Sequence, residues 1–133
     1  MTAKKKSKPQ VKKEETIKFP ESVLAPVRSF LIGRLKTLKK QKRNLKEEDP
    51  FSNSSRVDDN AALDTEAEEQ FGHARTSAIR SELDKRIIQV RKALTRVKVG
   101  KYGICENCGN MIDTDRLMVY PEATLCITCE KKR

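Results

Sequence analysis

Four cysteines carry the chemistry of this sequence, and they form two Cys-x-x-Cys pairs. Cys105, Cys108, Cys126 and Cys129 follow the spacing C-x2-C-x17-C-x2-C, and the chain has no other cysteine. Each pair can present two sulfurs to one side of a tetrahedron, and the residues between the pairs can return as a hairpin. The spacing predicts one structural Zn2+ held by four thiolates. Because four thiolates leave no coordination position for water, we predict that the protein is not an enzyme.

Two other uses of the cysteines were weighed against zinc. Disulfides are typical of secreted domains, but the basic N-terminal run is not followed by the apolar stretch of a signal peptide. A redox Cys-x-x-Cys pair belongs in an alternation of strands and helices that this sequence does not show. Zinc in a reducing compartment therefore explains the spacing better than either alternative.

Composition restricts the elements that can position these cysteines. Apolar residues and charged residues each make up 36% of the chain, aromatic residues make up 5%, and tryptophan is absent. This composition favours long amphipathic helices that bury one stripe each over a large globular core. No apolar run approaches the length of a membrane span, so we expect a cytoplasmic protein without membrane contact. The formal net charge of +10 predicts attraction to polyanions or acidic protein surfaces.

Two heptad patterns predict a pair of long helices. The first has leucine at strict seven-residue intervals, widened by three further apolar residues: Leu24, Leu31, Leu38 and Leu45, with Val27, Phe30 and Leu35. The second alternates spacings of four and three residues: Leu83, Ile87, Val90, Leu94 and Val97. Proline is tolerated in the first turn of a helix, so we expect Pro26 to lie there. A polar loop after Asp49 joins the two helices, which predicts an antiparallel coiled-coil hairpin.

The predicted fold is thus mainly α, a long antiparallel helical hairpin followed by a small four-cysteine zinc finger. We divide the chain into a disordered basic tail (1–19), the hairpin (20–98) with an acidic tip at about 47–69, and the zinc-finger module (99–133). Gly100 is expected to end the second helix, and Gly109 to form the tight left-handed turn of the first cysteine pair. Residues 116–120 are predicted as a short strand ended by Pro121, and 126–132 as one or two turns of helix.

Charge is distributed unevenly along the predicted hairpin. Nine of the nineteen acidic residues lie between Glu47 and Glu69, whereas the stretch from Arg34 to Lys46 carries seven cations and no acid. The basic run is expected to be a solvated face of the coiled coil, with phosphate binding as the alternative. The acids place negative charge at the tip, far from the cysteines, unless they only cap and solvate a helix N-terminus.

The cysteine module resembles the DksA/TraR family of bacterial zinc-finger transcription regulators. The resemblance rests on Tyr102-Gly103-x-Cys105-x-x-Cys108-Gly109, then Ile112, Arg116-Leu117, Pro121 and Cys126-x-x-Cys129. A long helical hairpin before the finger is also a family feature, so the resemblance extends over about residues 20–133.

The resemblance implies binding to RNA polymerase, with the hairpin inserted into the secondary channel and tip acids near the catalytic magnesium. The family's tip motif has the form Asp-x-x-Asp-x-Ala. Here Asp59 and Ala61 match its second half, while Arg56 stands where the first Asp belongs. Asp58 and Asp64 are therefore competing candidates for the tip residue.

Several other residues receive weaker assignments. Arg116 is either a polymerase contact or a partner in a salt bridge within the finger. Positions at which longer family members hold guanosine tetraphosphate with basic residues carry Gln89, Tyr120 and Glu130, so we do not predict that nucleotide. His73, the only histidine, is expected on a helix surface and not at the metal.

Two other functions compete with a polymerase-binding regulator. One is a nucleic-acid-binding zinc-ribbon protein that uses its basic tail and finger, with a steep salt dependence of binding. The other is a structural coiled-coil adaptor, which could be dimeric, whereas the regulator is expected to be a monomer. In the regulator, direct nucleic-acid binding would be secondary.

Overall fold

The computed structural model describes residues 18–49 and 63–133, except for the side chains of 63–66. It contains four helices, α1 (Glu21–Glu48), α2 (Leu63–Val99), α3 (Thr114–Val119) and α4 (Ile127–Lys131). Helices α1 and α2 pack as an antiparallel hairpin, and the four-cysteine segment with α3 and α4 follows. The predicted mainly α fold is confirmed. The stretch predicted as a tail lies almost wholly outside the described residues.

Helices α1 and α2 meet along the two predicted seams. Leu31 and Leu38 of α1 are buried, and Leu24, Val27 and Leu35 pack against them. On α2, the seam residues Ile87, Val90 and Val97 are buried, and so is Ala93, which the heptad pattern did not single out. Phe30 does not belong to the buried stripe. It precedes the buried Leu31 by one residue, so its side chain points to a different side of α1, and it is 52% exposed.

The position of Pro26 differs from the expectation. Helix α1 begins at Glu21, so Pro26 is its sixth residue and lies in the second turn. A proline there leaves one backbone carbonyl of the preceding turn without its helical partner. The first turn is nonetheless closed, because the Pro20 carbonyl accepts from the N–H groups of Val23 and Leu24. Packing of Leu24 and Val27 on either side of the proline keeps this part of the chain helical.

Helix α2 has 37 residues and would extend about 55 Å at about 1.5 Å per residue. Its C-terminal end has the predicted glycine. Gly100 adopts a φ of 78°, its N–H donates to the Val97 carbonyl, and the N–H of Lys101 donates to the Arg96 carbonyl. This pair of bonds is the Schellman motif, which satisfies the last helical carbonyls and turns the chain into the finger.

The strand predicted for residues 116–120 is wrong, because the structure has helix α3 there. Asp113 caps this helix, and its side chain accepts from the N–H of Asp115. Leu117 faces the core while Met118 and Val119 are 81% and 87% exposed, a distribution that gives a strand no buried face. Across the described residues the β pairing consists of a single bridge, Ile104 with Met111. A strand at 116–120 would thus have lacked a partner.

In the described part of the chain no helix is long and apolar enough to cross a membrane.

Candidate metal centre

The four cysteine sulfurs lie together at the base of the hairpin. All four Sγ atoms are within 4.8 Å of one another, and the Sγ atoms of Cys108 and Cys126 are 3.8 Å apart. With Zn–S bonds of about 2.3 Å, the edges of a tetrahedron of sulfurs measure about 3.8 Å. The thiols are therefore spaced as one tetrahedral zinc requires. The donor set fits a single structural Zn2+.

The first cysteine pair is held by a tight turn. Gly109 has a φ of 74°, as predicted, and its N–H donates to the Cys105 carbonyl. The N–H of Cys105 donates in turn to the Asn110 carbonyl at 2.8 Å. The bridge between Ile104 and Met111 closes the loop. A residue with a Cβ would be strained at the glycine, so the turn depends on that residue type.

The second pair lies at the start of α4. Cys126 is the N-cap of this short helix, and its Sγ accepts from the N–H of Cys129 at 3.4 Å. The N–H of Cys126 points at the Sγ of Cys105, also at 3.4 Å, and joins the two pairs. Backbone N–H groups directed at sulfur stabilise thiolates and orient them toward a metal.

Ionisation of the thiols is unequal. Burial disfavours the Cys105 thiolate, but hydrogen bonds from backbone N–H groups of Cys108, Cys126 and Asn107, together with the Cys108 side chain, outweigh it and lower the pKa of Cys105 to about 6. For Cys108, an N–H bond from Asn110 favours ionisation, yet desolvation and bonds with the other three thiols raise its pKa to about 11. Ionisation of one thiol therefore disfavours ionisation of its neighbours. A divalent cation held by the four sulfurs would supply the compensating positive charge.

Polar contacts hold the finger against the hairpin. Gln89 of α2 donates from Nε2 to the Glu122 carbonyl at 2.8 Å and to Thr124 Oγ1 at 3.1 Å. Arg34 of α1 lies 3.9 Å from the carboxylate of Glu122, whose side chain is buried. Arg96 donates to the Ile104 carbonyl. Both hairpin helices therefore contact the finger, and the orientation of one determines that of the other.

An aromatic contact completes the junction. The rings of Phe19 and Tyr102 meet edge to face, with centroids 5.9 Å apart. The Tyr102 hydroxyl donates to the Pro121 carbonyl at 2.9 Å, and burial raises the pKa of Tyr102 to about 12. Gly103 lies beneath Phe19 with a φ of 81°, and a Cβ built on it would be 2.5 Å from Phe19 Cε2. The glycine is needed both for its backbone conformation and for this close approach.

Replacing Gly103 with alanine should destabilise the junction by about 2–4 kcal/mol, the sum of a left-handed alanine and a displaced phenylalanine. The measurement is urea unfolding of the zinc-loaded protein. Gly100→Ala is the matched control, because Gly100 has a similar φ of 78° but no atom within 4 Å of a built Cβ. Equal losses for the two variants would contradict the steric part of the argument.

Arg116 pairs within the finger. Its guanidinium forms an ion pair with Glu130 and lies 5.9 Å from the centroid of the Tyr120 ring. This is the salt bridge that the sequence analysis had left as the alternative to a polymerase contact. A polymerase contact for Arg116 stays a prediction.

The predicted tip residues are placed only in part. Asp58, Asp59 and Ala61 lie outside the described residues, and Asp64 lies in the first turn of α2 without a described side chain. Their role therefore stays a prediction. His73 is a hairpin residue, as expected, with its Nδ1 3.3 Å from Asp49 Oδ1.

The residues that dock the finger on the hairpin carry no recognisable sequence pattern. No local sequence pattern predicts the contact between Gln89 and Glu122, because these residues are 33 positions apart in the chain. Phe19 lies at the end of the stretch predicted as a tail (1–19), so no role was predicted for its ring. The signal that could have found it is the Tyr102-Gly103 pair, since a glycine beside a buried aromatic residue often marks a close approach.

These features define the class of protein, a long helical hairpin that ends in a four-cysteine zinc finger. Residues 100–133 match the family described as the prokaryotic dksA/traR C4-type zinc finger. The fold resembles a solved structure, that of transcription factor DksA2 from Pseudomonas aeruginosa, with a TM-score of 0.71 and 20% sequence identity over 90% of this chain and 89% of that one. A search of curated proteins finds no match. The dksA/traR match thus covers the finger, and the likeness to the solved structure shows that the hairpin and finger share its fold.

Proposed function

We propose that this protein is a DksA-like transcription regulator that binds RNA polymerase and inserts its hairpin tip into the secondary channel. One observation carries the proposal, namely that a dksA/traR-type finger is joined to a hairpin with the fold of transcription factor DksA2. Either feature alone would be less specific, since zinc fingers and coiled coils serve many functions.

The hairpin is long and narrow. Each helix is about 10 Å wide, and at about 1.5 Å per residue the 28 residues of α1 extend about 42 Å and the 37 residues of α2 about 55 Å. Carboxylates at its end would bring negative charge close to a bound Mg2+. Because Mg2+ prefers oxygen ligands in near-ideal octahedral geometry, such charge could compete for its coordination or shift it. The regulator would thus act without catalytic groups of its own.

The zinc finger has a supporting role in this proposal. Gln89 and Arg34 connect the two helices to the finger, so the finger fixes the base of the hairpin. The tip would be about 50 Å from the metal by helix rise. Zinc would therefore influence transcription through the orientation of the hairpin. We propose 20–98 and 99–133 as the two working units of the chain, acting in the cytoplasm.

The test combines a pull-down on the host RNA polymerase with transcription by that polymerase. Asp59→Asn and Asp64→Asn, singly and together, should leave binding intact, and the pair should remove the transcriptional effect. Asp115→Asn is the control, because it makes the same chemical change at an exposed finger residue. If the paired tip variant still changed transcription as the wild type does, the tip mechanism would be wrong. Failure of the wild type to bind would refute the polymerase proposal itself.

A further inference from the structure

A groove on the stem of the hairpin is lined by lysine and arginine side chains, whose aliphatic stems form most of its wall and whose charged groups border it. Its volume is about 390 Å³. We call it the basic stem groove, and its residues are Lys39, Lys42, Arg43, Lys46 and Arg80. Among the described residues, no carboxylate and no aromatic ring lines it. It is formed by residues of α1 and α2 and includes no described residue of the four-cysteine finger.

The four α1 residues of the groove share one helix face. They follow the spacing i, i+3, i+4 and i+7, which places side chains above one another on successive turns. From Lys39 to Lys46 the row extends about 10.5 Å along the axis, at about 1.5 Å per residue. Arg80 joins it from α2. The hairpin fold therefore converts a basic run of sequence into a two-sided groove.

Within the described residues, most of the groove cations have no carboxylate partner. Lys42 pairs with Asp84, but within 18–49 and 63–133 the residues Lys39, Arg43, Lys46 and Arg80 form no ion pair. The Nε of Arg80 is also buried without a hydrogen-bond partner in that part of the chain. Elsewhere on the molecule several cations have carboxylate partners, as in Arg34–Glu122, Arg86–Glu82, Arg96–Glu106 and Arg116–Glu130.

This arrangement has an electrostatic cost that an anion can relieve. Like charges at i, i+3 and i+4 repel one another on a helix, and opposite charges at those positions would have been favourable. An anionic ligand with several charges at regular spacing would neutralise the row. A nucleic-acid strand carries one phosphate about every 3.4 Å of helix axis, so a row of about 10.5 Å faces about three of them.

We propose that the basic stem groove binds the phosphate backbone of a nucleic-acid strand. The described lining offers a base no aromatic ring to stack on, so the cations contact the phosphates, and we expect binding that is independent of sequence. The three lysines can contact phosphates as point charges, and the guanidinium groups of Arg43 and Arg80 offer planar forks of N–H donors that match phosphate oxygens. This activity goes beyond polymerase binding and does not depend on it.

The test uses the full-length protein and a fluorescently labelled oligodeoxythymidylate of about 16 nucleotides, the upper site size of a small single-strand-binding module. Binding is measured as a function of salt for the wild type and for Lys39→Gln/Arg43→Gln/Lys46→Gln. These three residues are exposed and have no ion pair in the described part of the chain, whereas Lys42 is left in place because it pairs with Asp84. Arg80 is left because of its buried Nε.

The matched control is Arg91→Gln/Lys98→Gln/Lys101→Gln, which removes the same charge from three exposed residues outside the groove. We expect the groove variant to lower the slope of log K against log salt by about 2, at about 0.7 for each lost contact with a single strand, and to weaken binding by more than about tenfold. The control should change much less. The N-terminal lysines are common to all three proteins, so the comparison isolates the groove.

Any of three outcomes would overturn the proposal. The wild type could fail to bind the oligonucleotide, or the two triple variants could lose the same amount of affinity. The third is that polyglutamate of equal charge binds the wild type as tightly as the oligonucleotide does. Circular dichroism and zinc content check that the variants are folded. If the groove variant does not fold, Lys39→Gln/Lys46→Gln is compared with Arg91→Gln/Lys101→Gln, with a slope change of about 1.4 expected. No polymerase is present, so failure here is distinct from failure of the proposed function.

Discussion

Replacing Cys105 with serine should abolish zinc binding and unfold the finger. Cys105 is 2% exposed, and it is the thiol that receives the N–H of Cys126 from the second cysteine pair. A module of about thirty residues buries too little surface to fold alone, so metal binding must supply its stability. Structural zinc contributes an apparent free energy of about 10–16 kcal/mol in small finger peptides, far more than a single contact.

The hairpin should largely survive this change. Its seam buries Leu31 and Leu38 of α1 against Ile87 and Val90 of α2, and these contacts between the two helices do not require the metal. The far-UV circular dichroism of the variant should keep most of its helical signal, while zinc content falls from one ion per chain to none. Asn110→Ser introduces the same residue at an exposed position of the same turn and should retain zinc. A Cys105→Ser protein that held one zinc with a folded finger would contradict the assignment.

Acid should have the same effect as the substitution. Zinc requires thiolates, so metal binding releases protons and weakens as the pH falls. Although burial opposes ionisation of Cys105, bonds from backbone N–H groups outweigh it and lower the pKa of this thiol, so it stays a thiolate at lower pH than an ordinary cysteine does. Zinc release into a chromogenic chelator is expected to increase as the pH is lowered below neutrality, because protons compete with zinc for the four thiolates.

Leu31→Ala is the second change with a large expected effect. Leu31 is fully buried at the centre of the seam, so alanine loses the transfer free energy of the side chain and leaves a cavity. Such substitutions cost about 2–5 kcal/mol. The free energy of unfolding, from urea denaturation followed by helical signal with zinc bound, should decrease by that amount.

The neighbouring residue provides the control. Ile32→Ala removes a similar side-chain volume, but Ile32 is 41% exposed on another side of α1. The free energy of unfolding should therefore decrease by less than about 1 kcal/mol. The comparison is sensitive to helix register, because a rotation of α1 by one residue would exchange the two costs. Equal losses from the two variants would contradict the packing described for the seam.

The sequence determined those parts of the structure that depend on spacing along the chain. A tetrahedral ion needs sulfurs in pairs, so the positions of the four cysteines predicted one site for all of them. Burial of a helix stripe requires apolar residues every three or four positions, so the heptads predicted Leu31 and Val90 as core. The left-handed turn at Gly100 follows from the one residue type that adopts it without strain.

Only the tertiary structure decided how the finger sits on the hairpin. Helix α3 forms where residues 116–120 had suggested a strand, because a strand needs a partner and Asp113 offers a helix cap instead. Gln89 meets Glu122 across 33 residues of chain, a contact without a local pattern. Likewise, the basic run on α1 became a groove only when Arg80 of α2 joined it. The spacing of residues within one helix or turn can be read from the sequence. Contacts between distant segments depend instead on how whole helices and the finger pack together.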